Sequence, residues 1–216
     1  MSEIVVDVKQ VSKTFGHETA LNNVSLQLQK GQIHGIIGRN GSGKTVLMKC
    51  ICGFLRPTSG EVIVFGKQIG RNHDFAPSTG MLIETPGFLM QETGLNNLLW
   101  LAKLGKGASR DRVCELIRMV GLDPTMKKKV GQYSLGMRQR LGIAQALLDD
   151  PELLILDEPM NGLDKNGVQE IRSLILSLKA QGKTILLASH FAQDIDVLCD
   201  CVYEMDQGNM MCLAIQ

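Results

Sequence analysis

Gly38-Arg39-Asn40-Gly41-Ser42-Gly43-Lys44-Thr45 is the stretch on which the fold turns. It has the spacing G-x-x-x-x-G-K-[ST] of a loop that wraps phosphate. Glycines let backbone N–H groups close around an anion with no Cβ in the way. A helix opening near Gly43 aims its positive end at the same anion. Lys44 adds a cationic point charge, and the Thr45 hydroxyl suits Mg²⁺. The flanks agree with this reading. Gln32-Ile33-His34-Gly35-Ile36-Ile37 upstream is a strand apolar enough to be central, and 46–55 downstream reads as a helix that Pro57 stops.

Outward from the loop, the hydrophobic period alternates between two and 3.6. Ile4-Val5-Val6-Asp7-Val8 and Val24-Ser25-Leu26-Gln27-Leu28 read as half-buried strands, with further strands at 61–65 and 81–83. Between 93 and 149 only helical segments are seen: 93–104, 109–120 and 134–149, with Ser109 and Ser134 as N-caps. Strands resume with Leu153-Leu154-Ile155-Leu156, apolar throughout as in a parallel sheet covered on both faces. Val168, Ile171, Leu174, Ile175 and Leu178 mark a helix, 184–188 a buried strand and 201–205 a last one. Strand–helix–strand order with right-handed crossovers predicts an α/β core, interrupted by a helical insertion at about 93–149. No Pro-, Gly- or Ser-rich linker divides the chain, so 1–216 is expected to form one unit.

The 216 residues carry 23 Lys+Arg against 22 Asp+Glu, a net charge of +1 that argues against holding nucleic acid by bulk electrostatics. With 44% hydrophobic and 21% charged residues the chain is not globally disordered. Uncharged apolar runs such as 141–148 are far short of the roughly 18–20 residues of a membrane span. Nothing at Met1-Ser2-Glu3-Ile4 reads as a secretory signal, so a soluble chain in the cytoplasm is expected. Six cysteines at 50, 52, 114, 199, 201 and 212 lack the usual zinc spacing and are read as buried free thiols.

The second chemical element is Leu153-Leu154-Ile155-Leu156-Asp157-Glu158. An acid at the carboxyl end of a buried strand lies where open α/β sheets bind ligands. Asp157 can hold Mg²⁺ there, and Glu158 can orient or deprotonate an attacking water.

With these motifs in order, the chain resembles the ATP-binding subunit of an ABC transporter over essentially its whole length. Tyr133-Ser134-Leu135-Gly136-Met137-Arg138-Gln139-Arg140 sits where that family keeps its signature. The resemblance implies a P-loop NTPase parallel-sheet core with an N-terminal antiparallel β subdomain and an inserted α-helical subdomain. It implies ATP and Mg²⁺ as cofactors, with Gly38, Asn40, Gly41, Ser42, Gly43, Lys44 and Thr45 around the phosphates. Ser134 and Gly136 would cap the γ-phosphate of ATP on a second subunit, a homodimer being expected. Phe15 would stack on adenine, His190 would touch the γ-phosphate, and Asn161-Gly162-Leu163-Asp164 would carry signals between subunits. Glu158, His190 and Lys44 are the catalytic candidates; Thr45, Asp157 and Glu84 are the metal candidates. The implied partners are integral-membrane permeases on the inner face of a bacterial membrane, docked on 85–100 (Phe88, Leu89, Met90, Leu95, Trp100).

Two departures from the family pattern narrow the reading. Leu135 and Met137 replace the first Gly and the Gln of the usual Leu-Ser-Gly-Gly-Gln, while Ser134 and Gly136 are kept. In Gly80-Met81-Leu82-Ile83-Glu84-Thr85-Pro86-Gly87 the strand ends on Glu84 where the family has Gln. Both segments resemble the subgroup that exports lantibiotics, bacitracin and similar antimicrobial peptides in immunity or resistance. Glu84 is expected on Mg²⁺, since a carboxylate beside triphosphate is repelled unless a cation lies between. Competing readings are a soluble ABC-type ATPase of DNA repair or translation, and a binding-only sensor. Lys127-Lys128-Lys129, the one cationic cluster, reads as a solvated turn.

Overall fold

The computed structural model describes residues 3–213 apart from Asn72, Thr85 and Phe191. The chain opens with β1 (Ile4–Phe15), β2 (Glu18–Gln29), β3 (Ile33–Ile37), α1 (Lys44–Cys52), β4 (Ser59–Val64), β5 (Lys67–Gln68) and β6 (Thr79–Leu82). Three helices follow without a strand: α2 (Gly94–Leu104), α3 (Arg110–Met119) and α4 (Leu135–Ala146). The remainder is β7 (Leu153–Asp157), α5 (Lys165–Ala180), β8 (Thr184–Ala188), α6 (Ala192–Leu198), β9 (Cys201–Asp206) and β10 (Asn209–Leu213).

Two sheets result. One is antiparallel, in the order β2-β1-β4-β5; the other has the order β10-β9-β3-β8-β7-β6. In the second, β3, β6, β7, β8 and β9 run parallel and β10 returns antiparallel to β9. The all-apolar strands are explained by their two-sided burial. Leu154, Leu156, Ile185 and Leu187 share a core with α2, α3, α4 and α5. Their alternate neighbours Leu153, Ile155, Leu186 and Ala188 share the other core with α1 and the antiparallel sheet. Period-2 pleating assigns successive side chains to opposite layers, so no polar position survives. α1 is caught between the two sheets, with Leu47, Met48 and Ile51 fully buried.

Several boundaries differ from expectation for local reasons. β1 runs seven residues past Val8, because Gln10 adopts φ 50° in a bulge that moves the next buried position to Val11. β2 begins before Val24 for the same reason, with Asn23 at φ 51°. α1 ends at Gly53, left-handed at φ 92°, before Pro57 is reached. α4 stops at Ala146, short of 149. Ser109 and Ser134 cap α3 and α4 as expected, accepting from Arg112 N at 3.2 Å and Met137 N at 3.1 Å. The cysteines are free, as expected, but not uniformly buried. Cys50, Cys52 and Cys201 are buried, Cys114 and Cys199 half-buried and Cys212 exposed. Burial pushes the Cys50 thiol up to about 11 and those of Cys52 and Cys199 up to about 12, so they stay protonated near neutrality. No helix of the described residues is long and apolar enough to cross a membrane.

Candidate active site

The parallel register sets the site. Asp157 pairs with Ala188, Ile36 with Ala188, and Leu82 with Leu156. The strands therefore end together, and the segments starting at Gly38, Glu158, Ser189 and Ile83 leave one sheet edge.

The phosphate loop spans β3 and α1. Gly43 is the N-cap of α1 at φ 112°, and a Cβ there would stand 2.6 Å from the Ala20 carbonyl oxygen. Only glycine fits both the angle and the space. The cap has no side-chain acceptor, and the first turn has no acid, so the helix's positive end is left for a ligand anion. Lys44 is 6% exposed, and its Nζ donates to the carbonyls of Gly38 at 2.7 Å and Arg39 at 3.0 Å. The loop is strapped from beneath by the β9–β10 turn, where Gly208 N donates to the Ser42 carbonyl at 3.0 Å. Asn22 N in turn donates to the Gly208 carbonyl at 2.8 Å.

Thr45 Oγ1 donates to Asp157 Oδ2 at 2.6 Å, so the two hard oxygen ligands expected for Mg²⁺ are adjacent. This donor set fits a metal that takes most of its ligands from phosphates and water. Glu158 follows in a left-handed conformation, φ 50°, which an L-residue adopts only under constraint. Its N–H donates to the Ala188 carbonyl at 2.9 Å, and its carbonyl accepts from Asn161 N at 3.0 Å and Gln139 Nε2 at 2.9 Å. Its Oε2 lies 2.7 Å from His190 Nδ1, while its buried Oε1 has no partner among the described residues. With Glu158 ionised, that contact requires the proton on His190 Nδ1.

A cleft of about 740 Å³ gathers Phe15, Asn40, Gly41, Gly43, Lys44, Thr45, Asp157 and Glu158. Phe15 is 47% exposed, one face of its ring covered by Lys13 Nζ at 5.0 Å. The cleft is also lined by Glu18, Thr19, Ala20, Gln207 and Gly208, which no sequence motif marks. They arrive through the β1–β2 and β9–β10 turns, and such long-range placement leaves no local pattern.

The other expected site residues stand outside this cleft. Gly38 and Ser42 lie against each other beneath the loop. Ser134 caps α4, and Gly136 packs so tightly on Gly162 that a Cβ would stand 2.7 Å from its carbonyl oxygen. Asp164 is the N-cap of α5, accepting from Gly167 N at 2.9 Å. Glu84, expected on the metal, is not among the residues that line the cleft. It has φ 58°, its side chain is 60% exposed, and its Oε1 accepts from Lys49 Nζ at 2.6 Å. The ammonium of Lys49, on the same helix as Thr45, supplies a countercharge to this carboxylate.

The family described as ABC transporter matches residues 21–161, from the first third of β2 through the segment after Glu158. The chain belongs to the ABC transporter family. Among curated relatives of this cassette, the bacitracin transport ATP-binding protein BcrA of Enterococcus faecalis is 43% identical, covering 97% of this chain and 68% of that protein. The lantibiotic transport ATP-binding protein SrtF of Streptococcus pyogenes is 37% identical, covering 96% of this chain and 89% of that one. Among solved structures, the ATP-binding cassette MJ0796, dimeric in a post-hydrolysis state with ADP and Pi, superposes with a TM-score of 0.86. It is 25% identical, with 97% of this chain and 99% of that chain covered. The cassette is thus a nucleotide-binding ATPase subunit of the transporter type, with the α/β architecture expected from its sequence.

Proposed function

We propose that this cassette powers an exporter of bacitracin- or lantibiotic-type antimicrobial peptides, in immunity or resistance. The observation that carries the reading is its similarity, over nearly the whole chain, to the transport ATP-binding proteins BcrA and SrtF. Glu84 in place of the usual Gln supports the same subgroup.

ATP occupies the cleft with adenine on the open face of Phe15 and its phosphates in the Gly38–Thr45 loop. Lys44 exchanges its two loop carbonyls for phosphate oxygens, and the loop N–H groups close around them. Thr45 and Asp157 would hold Mg²⁺, which would supply positive charge against the phosphates. Glu158 accepts the proton of the attacking water on its carboxylate, while the contact of His190 with Oε2 fixes the carboxylate plane. The water oxygen bonds to the γ-phosphorus as the bond to ADP breaks. Ser134 and Gly136 lie outside their own cleft, so they serve the γ-phosphate held by a second copy. Asp164 and its loop then lie at the seam between the copies.

Permease subunits in the membrane receive the work, which places the cassette at the inner membrane face. Within the expected docking segment Leu89, Met90 and Trp100 are 57%, 44% and 55% exposed, whereas Phe88 is buried. Thr85 lies outside the described residues.

The test is resistance to such peptides, with steady-state ATP hydrolysis, in cells carrying the chain with its permeases. Glu158→Gln is expected to lower turnover by about 100-fold or more and to abolish resistance. Resistance that survives with hydrolysis abolished would overturn the reading in favour of a sensor.

A further inference from the structure

Gln139 is the polar side chain of α4 that is buried, 8% exposed, on a helix face otherwise made of Gly136, Leu141, Gly142, Ile143, Ala144 and Ala146. A primary amide is placed in such surroundings only at a cost unless it is hydrogen-bonded. Its Nε2 donates to the carbonyl of Glu158, the residue whose left-handed backbone sets the direction of the carboxylate. One turn earlier on α4, Gly136 and Leu135 rest on Gly162. The first two turns of α4 thus grip the segment 158–163 at both ends. That same helix starts at Ser134.

We propose that Gln139 is a positioning residue that joins the two ATP sites of a dimer. Ser134 and Gly136 touch the nucleotide of the partner copy, whereas Glu158 serves the nucleotide of its own copy. When the partner's γ-phosphate seats α4, the Gln139 amide carries that seating to the Glu158 carbonyl. The base is aligned only when the opposite site is filled. Positive cooperativity in hydrolysis follows, with no contact between Gln139 and either nucleotide. This inference rests on the roles given above to Glu158 and Ser134.

The test uses the transporter assembled with its permeases, comparing Gln139→Glu, Gln139→Met and Glu158→Gln. Glu keeps the shape but presents oxygen to a carbonyl; Met keeps the length and removes the donor. For both Gln139 variants, kcat is expected to fall about 10- to 100-fold, as for other small misplacements of a reacting group. KM for ATP and nucleotide binding should stay within about twofold, and the Hill coefficient should fall from near 2 toward about 1. Lowering the pH should restore turnover to Gln139→Glu, whose protonated carboxyl can donate again, and not to Gln139→Met. Wild-type kcat and cooperativity in both Gln139 variants, with Glu158→Gln inactive, overturn the inference and leave the base assignment standing. Nucleotide binding lost in parallel with kcat also overturns it, since the damage is then general. Turnover retained by Glu158→Gln overturns the base assignment itself.

Discussion

His34, in the middle of β3, is 1% exposed, and Gln29 N donates to its Nε2 at 2.9 Å. Burial pushes its pKa below the ordinary 6.5, against smaller opposing effects of its backbone contact and Asp200. The native state therefore keeps His34 neutral, while the unfolded chain takes up a proton once pH falls below about 6.5. The stability that this histidine contributes is complete above that pH and is lost progressively below it. The urea midpoint of the wild type should fall between pH 7.5 and 5.5 by more than that of His34→Gln. Equal falls in the two proteins would contradict the assignment. At this scale the contiguous motifs were legible, because Gly38–Thr45 and Asp157–Glu158 draw their chemistry from neighbours in sequence. The pairs Lys49–Glu84 and Gln139–Glu158 were not, since each joins residues 35 or 19 apart through tertiary packing.

The elements near His190 depend on a buried ion pair. Asp194 of α6 is 2% exposed; its Oδ1 accepts from Arg172 Nε at 2.9 Å and Nη2 at 2.6 Å, and its Oδ2 from Ser189 Oγ at 3.0 Å. α5, α6 and the segment leading to His190 are thereby joined. Asp194→Ala strands the Arg172 guanidinium and should cost about 3–5 kcal/mol, read as the loss in unfolding free energy. A loss below about 1 kcal/mol would show that the pair does not hold these elements. α6 was invisible in the sequence because seven residues with Asp194 and Asp196 are too short to show a period. β10 escaped notice because most of its side chains are exposed and no alternation marks it. The central strands and long helices were legible for the opposite reason, as each faces a continuous core.

Across the whole molecule the proposed site residues divide into two sets that do not share a cleft. Lys44, Thr45, Asp157 and Glu158 line the cleft, while Ser134 caps α4 outside that lining and Gly136 sits in the helix's first turn. Motif order in the sequence showed both sets, and the resemblance implied that Ser134 and Gly136 serve a second subunit; which residues line the cleft of their own chain is a property of the folded surfaces. On the proposed function, a chain built this way would bind nucleotide alone and complete the γ-phosphate cage only by pairing. Light scattering on the Glu158→Gln protein tests this most directly, with saturating ATP and Mg²⁺ and, in parallel, with ADP, each in the presence of its permeases. A doubled complement of cassettes with ATP and its loss with ADP are the predicted result; unpaired cassettes under saturating ATP would contradict it.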